Sequence, residues 1–395
     1  MVSYKFCLIA PYPLEYPTMK TYFFPIEAAA ALFPILAIVL TLPYAIYCYR
    51  KYGSVSPLRT LILFSLLFYV QCAYFLVILP LPDPAEVAQR TGATMQLVPF
   101  SFVGDFLRES GFVLQEPSTW LAALKDNTVY EPLFNIALTL PWGMYLYYYF
   151  KQDLRKVVAL SFVLSLFFEL TQLSGLYGLY PRPYRLFDVD DLLLNTLGGV
   201  VGYGIATVVT RFLPSRERID EKSRKRSATV GYLRRLLAYA LDALVLLFLR
   251  AGVATLLERA TGDPNPLGLL GSPLLSVLLL FVYSIGVPAL FKGATVGKAI
   301  VRIRVLPLDP HASRFAPLAL RYLLRNSLLL GFSFTSTLSA TADPPWQTII
   351  VLAQLAVLLL VTVDLITSHR KSKRLLYERI SRTQNVSTVP APKDR

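Results

Sequence analysis

Histidine occurs twice in this chain, at His311 and His369, and cysteine three times, at Cys7, Cys48 and Cys72. Both histidines sit in polar connecting segments, which excludes a multi-histidine metal centre. Three cysteines without a CxxC pair indicate neither a zinc ribbon nor a disulfide framework. Charge is scarce as well: Asp, Glu, Lys and Arg make up 16% of the residues, against about a quarter in ordinary soluble domains. Gly293-xxx-Gly297-Lys298-Ala299 stands near a phosphate-binding loop but is one residue short and lacks Ser or Thr after the lysine, so no P-loop is read. No cofactor and no metal ion is expected.

What the chain has instead is apolar length. Of its 395 residues, 55% are hydrophobic, and the charges cluster in blocks between apolar runs. A bilayer core of roughly 30 Å takes about 20 mostly apolar helical residues. Nine runs meet or approach that length: 27–49, 59–80, 131–150, 157–176, 191–213, 236–257, 268–291, 318–339 and 347–368. The eighth is the weakest, because Arg321 and Arg325 lie in its first two turns, and an interfacial or re-entrant segment is the alternative there. The fold expected is all-α, a polytopic helical membrane protein of about nine transmembrane helices in two bundles. The opening residues, interrupted by prolines and Glu15, do not read as a cleaved signal peptide.

The basic residues fall on alternate sides of these spans. Segments 50–59, 151–156, 211–235, 292–325 and 370–395 carry three, three, nine, seven and eight Lys/Arg, or thirty of the 39. That side is expected to be cytoplasmic, with the amino terminus outside and the carboxyl terminus inside. The net charge of +14 is thereby explained by topology and contact with anionic lipid, and nucleic acid is not expected. The polar segment 214–230 divides a first module, 1–213, from a second, 231–386, with a tail at 387–395. It is expected to lie on the inner leaflet as an unpacked basic linker.

Ionisable groups at membrane depth are costly and usually functional. In the first module the third span brings Asn135 about one turn below its outer end. The fourth carries Glu169 and Gln172, spaced i, i+3 on one face. The fifth opens with Asp188, Asp191 and Asn195 on one helical stripe, with Asp190 directed elsewhere, and Arg185 stands just above as a counter-charge. Gly198-xxx-Gly202 then allows a close helix approach. These groups either fix helix packing through hydrogen bonds and an ion pair, or form a polar site facing outward. Paired carboxylates in such a site serve as acid and base, bind a cation or hold a polar headgroup. A long outer loop, 81–130, contains SFVGDFLRESGFV, read as a short amphipathic interfacial helix.

Gln96 to Phe100 (QLVPF), Asn135 with Pro141 and Gly143, Glu169-xx-Gln172, and Arg185-xx-Asp188-xx-Asp191-xxx-Asn195-Thr196-x-Gly198 together resemble the pattern of the VanZ-like family over about 27–213. The family takes its name from a membrane protein associated with low-level resistance to the glycopeptide teicoplanin. The resemblance implies a protein of the bacterial envelope and plasma membrane, and it brings no agreed reaction.

In the second module Arg235 and Asp242 are seven apart on one face, and Asp364 reaches comparable depth on the last span. An Arg235–Asp242 pair, or a partner for Asp242 from the basic loop 292–325, is the expectation, since an unpaired carboxylate there would protonate. Arg234/Arg235 with Asp242, Gly293-x-Thr295-x-Gly297-Lys298 and Arg304-Val305 resemble the motifs of the RDD family over about 231–386. Its closing aspartate is replaced here by Glu378, five residues before Thr383.

Three functions remain open on these grounds. The protein binds or modifies a lipid headgroup or lipid-linked cell-wall precursor at an outer site built on Glu169, Arg185, Asp188, Asp191 and Asn195, with Gln96, Asn135 and Gln172. Alternatively, it is an ion-coupled transporter using those carboxylates with Arg235, Asp242 and Asp364. In the third reading it is a scaffold whose polar residues only pack helices.

Overall fold

The computed structural model describes residues 19–261, 273–311, 313–341, 343–370 and 374–390. The amino-terminal patch read above as uncleaved, and most of the tail 387–395, lie outside them. The described chain divides into two compact units. One comprises residues up to Thr41 together with Ser56–Ile219, and the other Leu42–Val55 with Asp220 onward.

Helix α1, Met19–Tyr52, thus contributes to both units. The rest of the first unit begins with α2, Pro57–Ile78, whose start is set by the Ser56 side chain and Pro57. Three short helices follow in the loop: α3 (Pro84–Gln89), α4 (Ser101–Glu109) and α5 (Pro117–Ala123), with a two-residue strand β1, Met95–Gln96, between the first two. Helices α6 (Asn127–Tyr148) and α7 (Leu154–Leu173) come next, then the one-turn α8 (Gly175–Gly178). Strand β2, Phe187–Asp188, pairs in parallel with β1 and leads directly into α9, Val189–Val209.

Helices α6 and α9 pack backbone against backbone. A Cβ on Gly198 would fall on the carbonyl of Ile136, and one on Gly202 on that of Leu140. Their side chains are absent because the carbonyls of α6 occupy the space. On α7 the small residues Ser161 and Ser165 are wholly buried, and Ser161 lies against Gly199. Apolar packing is confined to small clusters, such as Ala73, Val77, Ile78 and Phe168. Many leucines, valines and phenylalanines remain on the outside, as a lipid-facing surface requires.

The segment read as an unpacked linker is a helix, α10, Arg216–Ser227. Glu217 lies in its first turn and Arg224, Lys225 and Arg226 in its last, which suits the helix dipole, and Glu221 pairs with Lys225 one turn on. Its one aliphatic residue, Ile219, packs with Ile62 and Tyr149, and Arg216 lies over the Tyr149 ring. Counting apolar periodicity undervalued a helix that is held by charge order and one isoleucine.

In the second unit α11 spans Tyr232–Thr261. The apolar stretch from Pro273 is broken into α12 (Pro273–Phe281), a π-helical turn (Val282–Gly286) and α13 (Val287–Leu290). After α14 (Val296–Ile300) come strand β3 (Ile303–Pro307), α15 (Phe315–Thr341), α16 (Pro344–Arg370), α17 (Leu376–Ile380) and β4 (Thr383–Ser387). The basic loop 292–325 is therefore structured: β3 pairs antiparallel with β4 from the far end of the unit, Ile303 opposite Ser387 and Pro307 opposite Thr383. Tyr49 of α1 is part of this unit's core, with Val230, Ala238, Leu241, Val301 and Ile303.

Among the described residues six helices are long and apolar enough to cross a membrane: 23–52, 57–78, 154–173, 189–212, 232–260 and 344–368. The shorter apolar run 275–290 and helices α6 and α15 fall where the remaining three spans were expected. Together these make an all-α polytopic membrane protein.

Candidate functional site

The first unit contains a cavity of about 2010 Å³. Arg185, Leu186, Asp188, Asp190 and Asp191, from the segment that leads into α9, line it. Phe187 and Asp188 are held as β2, and the Asp188 side chain then caps α9 by accepting from the Asp190 N–H at 2.8 Å. Asp190 and Asp191 follow in the first helical turn, where the helix dipole favours negative charge. Glu169 of α7, 3% exposed, accepts the Asp188 N–H at 2.9 Å through Oε2.

Asn135 of α6 donates a short hydrogen bond to Asp191. Asn195, one turn along α9, donates to Ser165 Oγ at 3.1 Å, and Ser165 donates to the Asp191 carbonyl at 3.1 Å. Thr139 of α6 donates to the Asn195 carbonyl at 2.6 Å. A polar stripe thus runs across α6, α7 and α9, where the small side chains let these helices meet. Arg185 donates to the Leu79 carbonyl at 3.0 Å. Burial pushes its guanidinium below the usual arginine range, against the opposing charges of Tyr184, Asp191 and Glu169.

Glu169, Gln172, Arg185, Asp188, Asp191, Asn195, Asn135 and Gln96 all line this one cavity. Gln172 donates to the Val77 carbonyl at 3.0 Å, and Gln96 bonds Ser101 Oγ at 2.7 Å and the Val98 N–H. Asp190, expected to point away from the stripe, is held by the loop at α4 and yet lines the same cavity. It is 1% exposed and accepts the N–H groups of Phe100 (2.6 Å) and Phe102 (3.2 Å) and the Ser101 hydroxyl (2.7 Å). The helical stripe argument missed it because its partners come from the loop at α4. Across the whole lining there are ten carboxylates and three arginines.

The polar residues of the second unit do not form one comparable site. Asp242 is not paired with Arg235. It is held by neutral donors, the hydroxyls of Tyr283 (2.5 Å) and Thr295 (2.7 Å) and the Gly297 N–H (2.7 Å). Three hydrogen bonds satisfy a buried carboxylate as well as an ion pair does. The π-helical turn aims Tyr283 at it. Arg235 turns to Glu378, which also accepts from Arg321 Nη2 at 2.6 Å and Asn385 Nδ2 at 2.6 Å. Asp364 is elsewhere again, accepting the Leu376 N–H at 2.7 Å and pairing with Arg379.

Further residues carry weight that their sequence positions only hinted at. Arg321, read as a flaw in the eighth span, is 1% exposed and ties Glu378 to Thr383. Lys298 is 2% exposed, donates to Tyr322 at 2.6 Å and sits over its ring. Burial, with the charges of Arg321 and Arg325, pushes its ammonium well below the usual lysine range. Among the described residues no cluster of three or more His, Cys, Asp or Glu has the arrangement of a metal site.

Comparison with protein families matches residues 64–210 to VanZ/LLP1 and residues 229–381 to the RDD family. The chain carries a VanZ-like domain and an RDD domain in tandem. No curated protein and no solved structure matches it.

Proposed function

We propose that this tandem VanZ-like and RDD membrane protein of the cell envelope binds, and acts on, a lipid headgroup or a lipid-linked cell-wall precursor in the cavity of its VanZ-like unit. One observation carries the reading: polar side chains from α6, α7 and α9 converge on a single large cavity. Packing alone needs a few satisfied hydrogen bonds, and buried charge that only packs helices is replaceable by apolar residues at little cost. Three buried carboxylates, Glu169, Asp188 and Asp190, gathered with Asp191 on one cavity of about 2010 Å³ exceed that need. Leu76, Val77, Ala137 and Leu138 of the spanning helices line the same cavity, so acyl chains have an apolar path beside a polar end.

The distribution of basic residues supports an amino terminus outside, a cytoplasmic carboxyl terminus and a cavity on the outer face of the plasma membrane. A role in glycopeptide susceptibility follows, on this reading, from handling of the headgroup or precursor. A photoactivatable phospholipid incorporated with the full-length protein tests it. Labelling should map to 76–96 and 134–138 and fall severalfold when Ala137→Trp fills the cavity. Labelling that is unchanged by that substitution, or confined to the outer faces of the helices, would contradict the proposal.

A further inference from the structure

We infer that the cavity selects a zwitterionic headgroup bearing a primary ammonium and a phosphate, of the phosphoethanolamine type, and not an anionic or a quaternary one. The inference rests on the headgroup reading above and names its chemistry. Its first support is an unmet acceptor. Asn195 is 3% exposed and lines the cavity. Its amide nitrogen is used on Ser165, and among the described residues its Oδ1 accepts no hydrogen bond. A buried amide oxygen without a donor is costly, so a ligand that supplies one is favoured. The donor must carry N–H or O–H, which a trimethylammonium group lacks.

The second support is charge. Glu169 and Asp191 line the same cavity one helical turn from the Asn195–Ser165 bond, and the lining as a whole has ten acids to three arginines. A fully anionic headgroup would meet repulsion there, whereas an ammonium is attracted and hydrogen-bonded. The third support lies at the arginines. Arg182 lines the same cavity and donates to the Gly92 carbonyl at 3.2 Å, while its Nε, shielded from solvent, has no partner among the described residues. Arg185, three residues on, lines the same cavity. One unmet acceptor among acids and one unmet donor among arginines offer a partner to each charged group of a phosphoethanolamine.

The test uses the purified full-length chain and native mass spectrometry with equimolar phosphatidylethanolamine, phosphatidylcholine and phosphatidylglycerol of identical acyl chains. Phosphatidylethanolamine should be retained about tenfold over phosphatidylcholine, the ratio expected for one ligand hydrogen bond to a buried group. Asn195→Ala should erase that ratio, and Arg182→Gln should lower retention of both lipids. Because the comparison among lipids is made on the unsubstituted protein, it stands even if a variant misfolds. Soluble phosphoethanolamine should displace the lipid; retention that ignores it and follows acyl length overturns the inference. Equal retention of the ethanolamine and choline lipids, both displaced by Ala137→Trp, overturns the ammonium claim and leaves the headgroup site standing. Preference for phosphatidylglycerol overturns it as well. If Ala137→Trp displaces no lipid, the site reading falls with it.

Discussion

Arg235 Nη1 lies 3.0 Å from Glu378 Oε2, with both side chains almost wholly out of solvent. The same carboxylate meets Arg321 at 2.6 Å and caps its own helix by accepting the Leu375 N–H at 3.1 Å. One glutamate therefore joins α11, α15 and α17. Glu378→Gln leaves two buried guanidinium groups without their counter-charge and should destabilise the protein by about 3–5 kcal/mol. Glu378→Asp, which restores the residue type usual at this position of the RDD pattern, should lose less. Thermal unfolding in detergent ranks the two variants; equal loss would show that charge at this point is not what matters.

Cutting the chain between the family domains should not give two independent proteins. Tyr49 is 7% exposed in the second unit's core, and Arg234 Nη1 donates to the Gly53 carbonyl at 3.1 Å. A fragment 231–395 lacks both. We expect it not to accumulate alone and to be rescued by co-expression with 1–213. Stable accumulation of 231–395 by itself would overturn this.

Lys298 gives a pH dependence with a definite sign. Its ammonium is disfavoured in the fold by burial, so the unfolded chain binds more protons in the interval below the ordinary lysine pKa of about 10.4. Stability contributed at this position therefore rises with pH and is complete only above that value. The unfolding midpoint should climb between about pH 7 and pH 10, and Lys298→Met should flatten the climb. A midpoint that falls over that interval, with or without the lysine, would contradict the assignment.

Much of this was legible in the sequence. Span positions follow from apolar length, and Glu169, Asp191, Asn195 and Asn135 follow from helical spacing at matched depth. Spacing along one helix says nothing of donors that arrive from a loop, so Asp190 and its contacts to Phe100 and Ser101 were out of reach. The Arg235–Asp242 pair failed for a related reason. Seven residues place two side chains on one face two turns apart, but Glu378 and Thr295, brought in by the β3–β4 pairing and α14, offer each a nearer partner. Long-range pairing of short strands leaves no local periodicity to read.

Topology is open to direct labelling. In a chain whose cysteines are replaced by alanine, Ser118→Cys in the α5 loop should react with an impermeant maleimide on intact cells. Lys225→Cys in α10 should react only after permeabilisation. Lys225 is the better probe than its neighbour Ser223, which is 2% exposed. The opposite pattern would invert the orientation and place the cavity on the inner face.

The central claim is that the cavity between α6, α7 and α9 receives a headgroup. A structure of the full-length protein in a phosphatidylethanolamine-containing nanodisc measures this most directly. The account predicts density for a headgroup within hydrogen-bonding distance of Asn195 Oδ1, between Glu169 and Asp191, with acyl chains leaving past Val77 and Leu138. Lipid density confined to the outer surfaces of the helices, with none between Glu169 and Asp191, would contradict it.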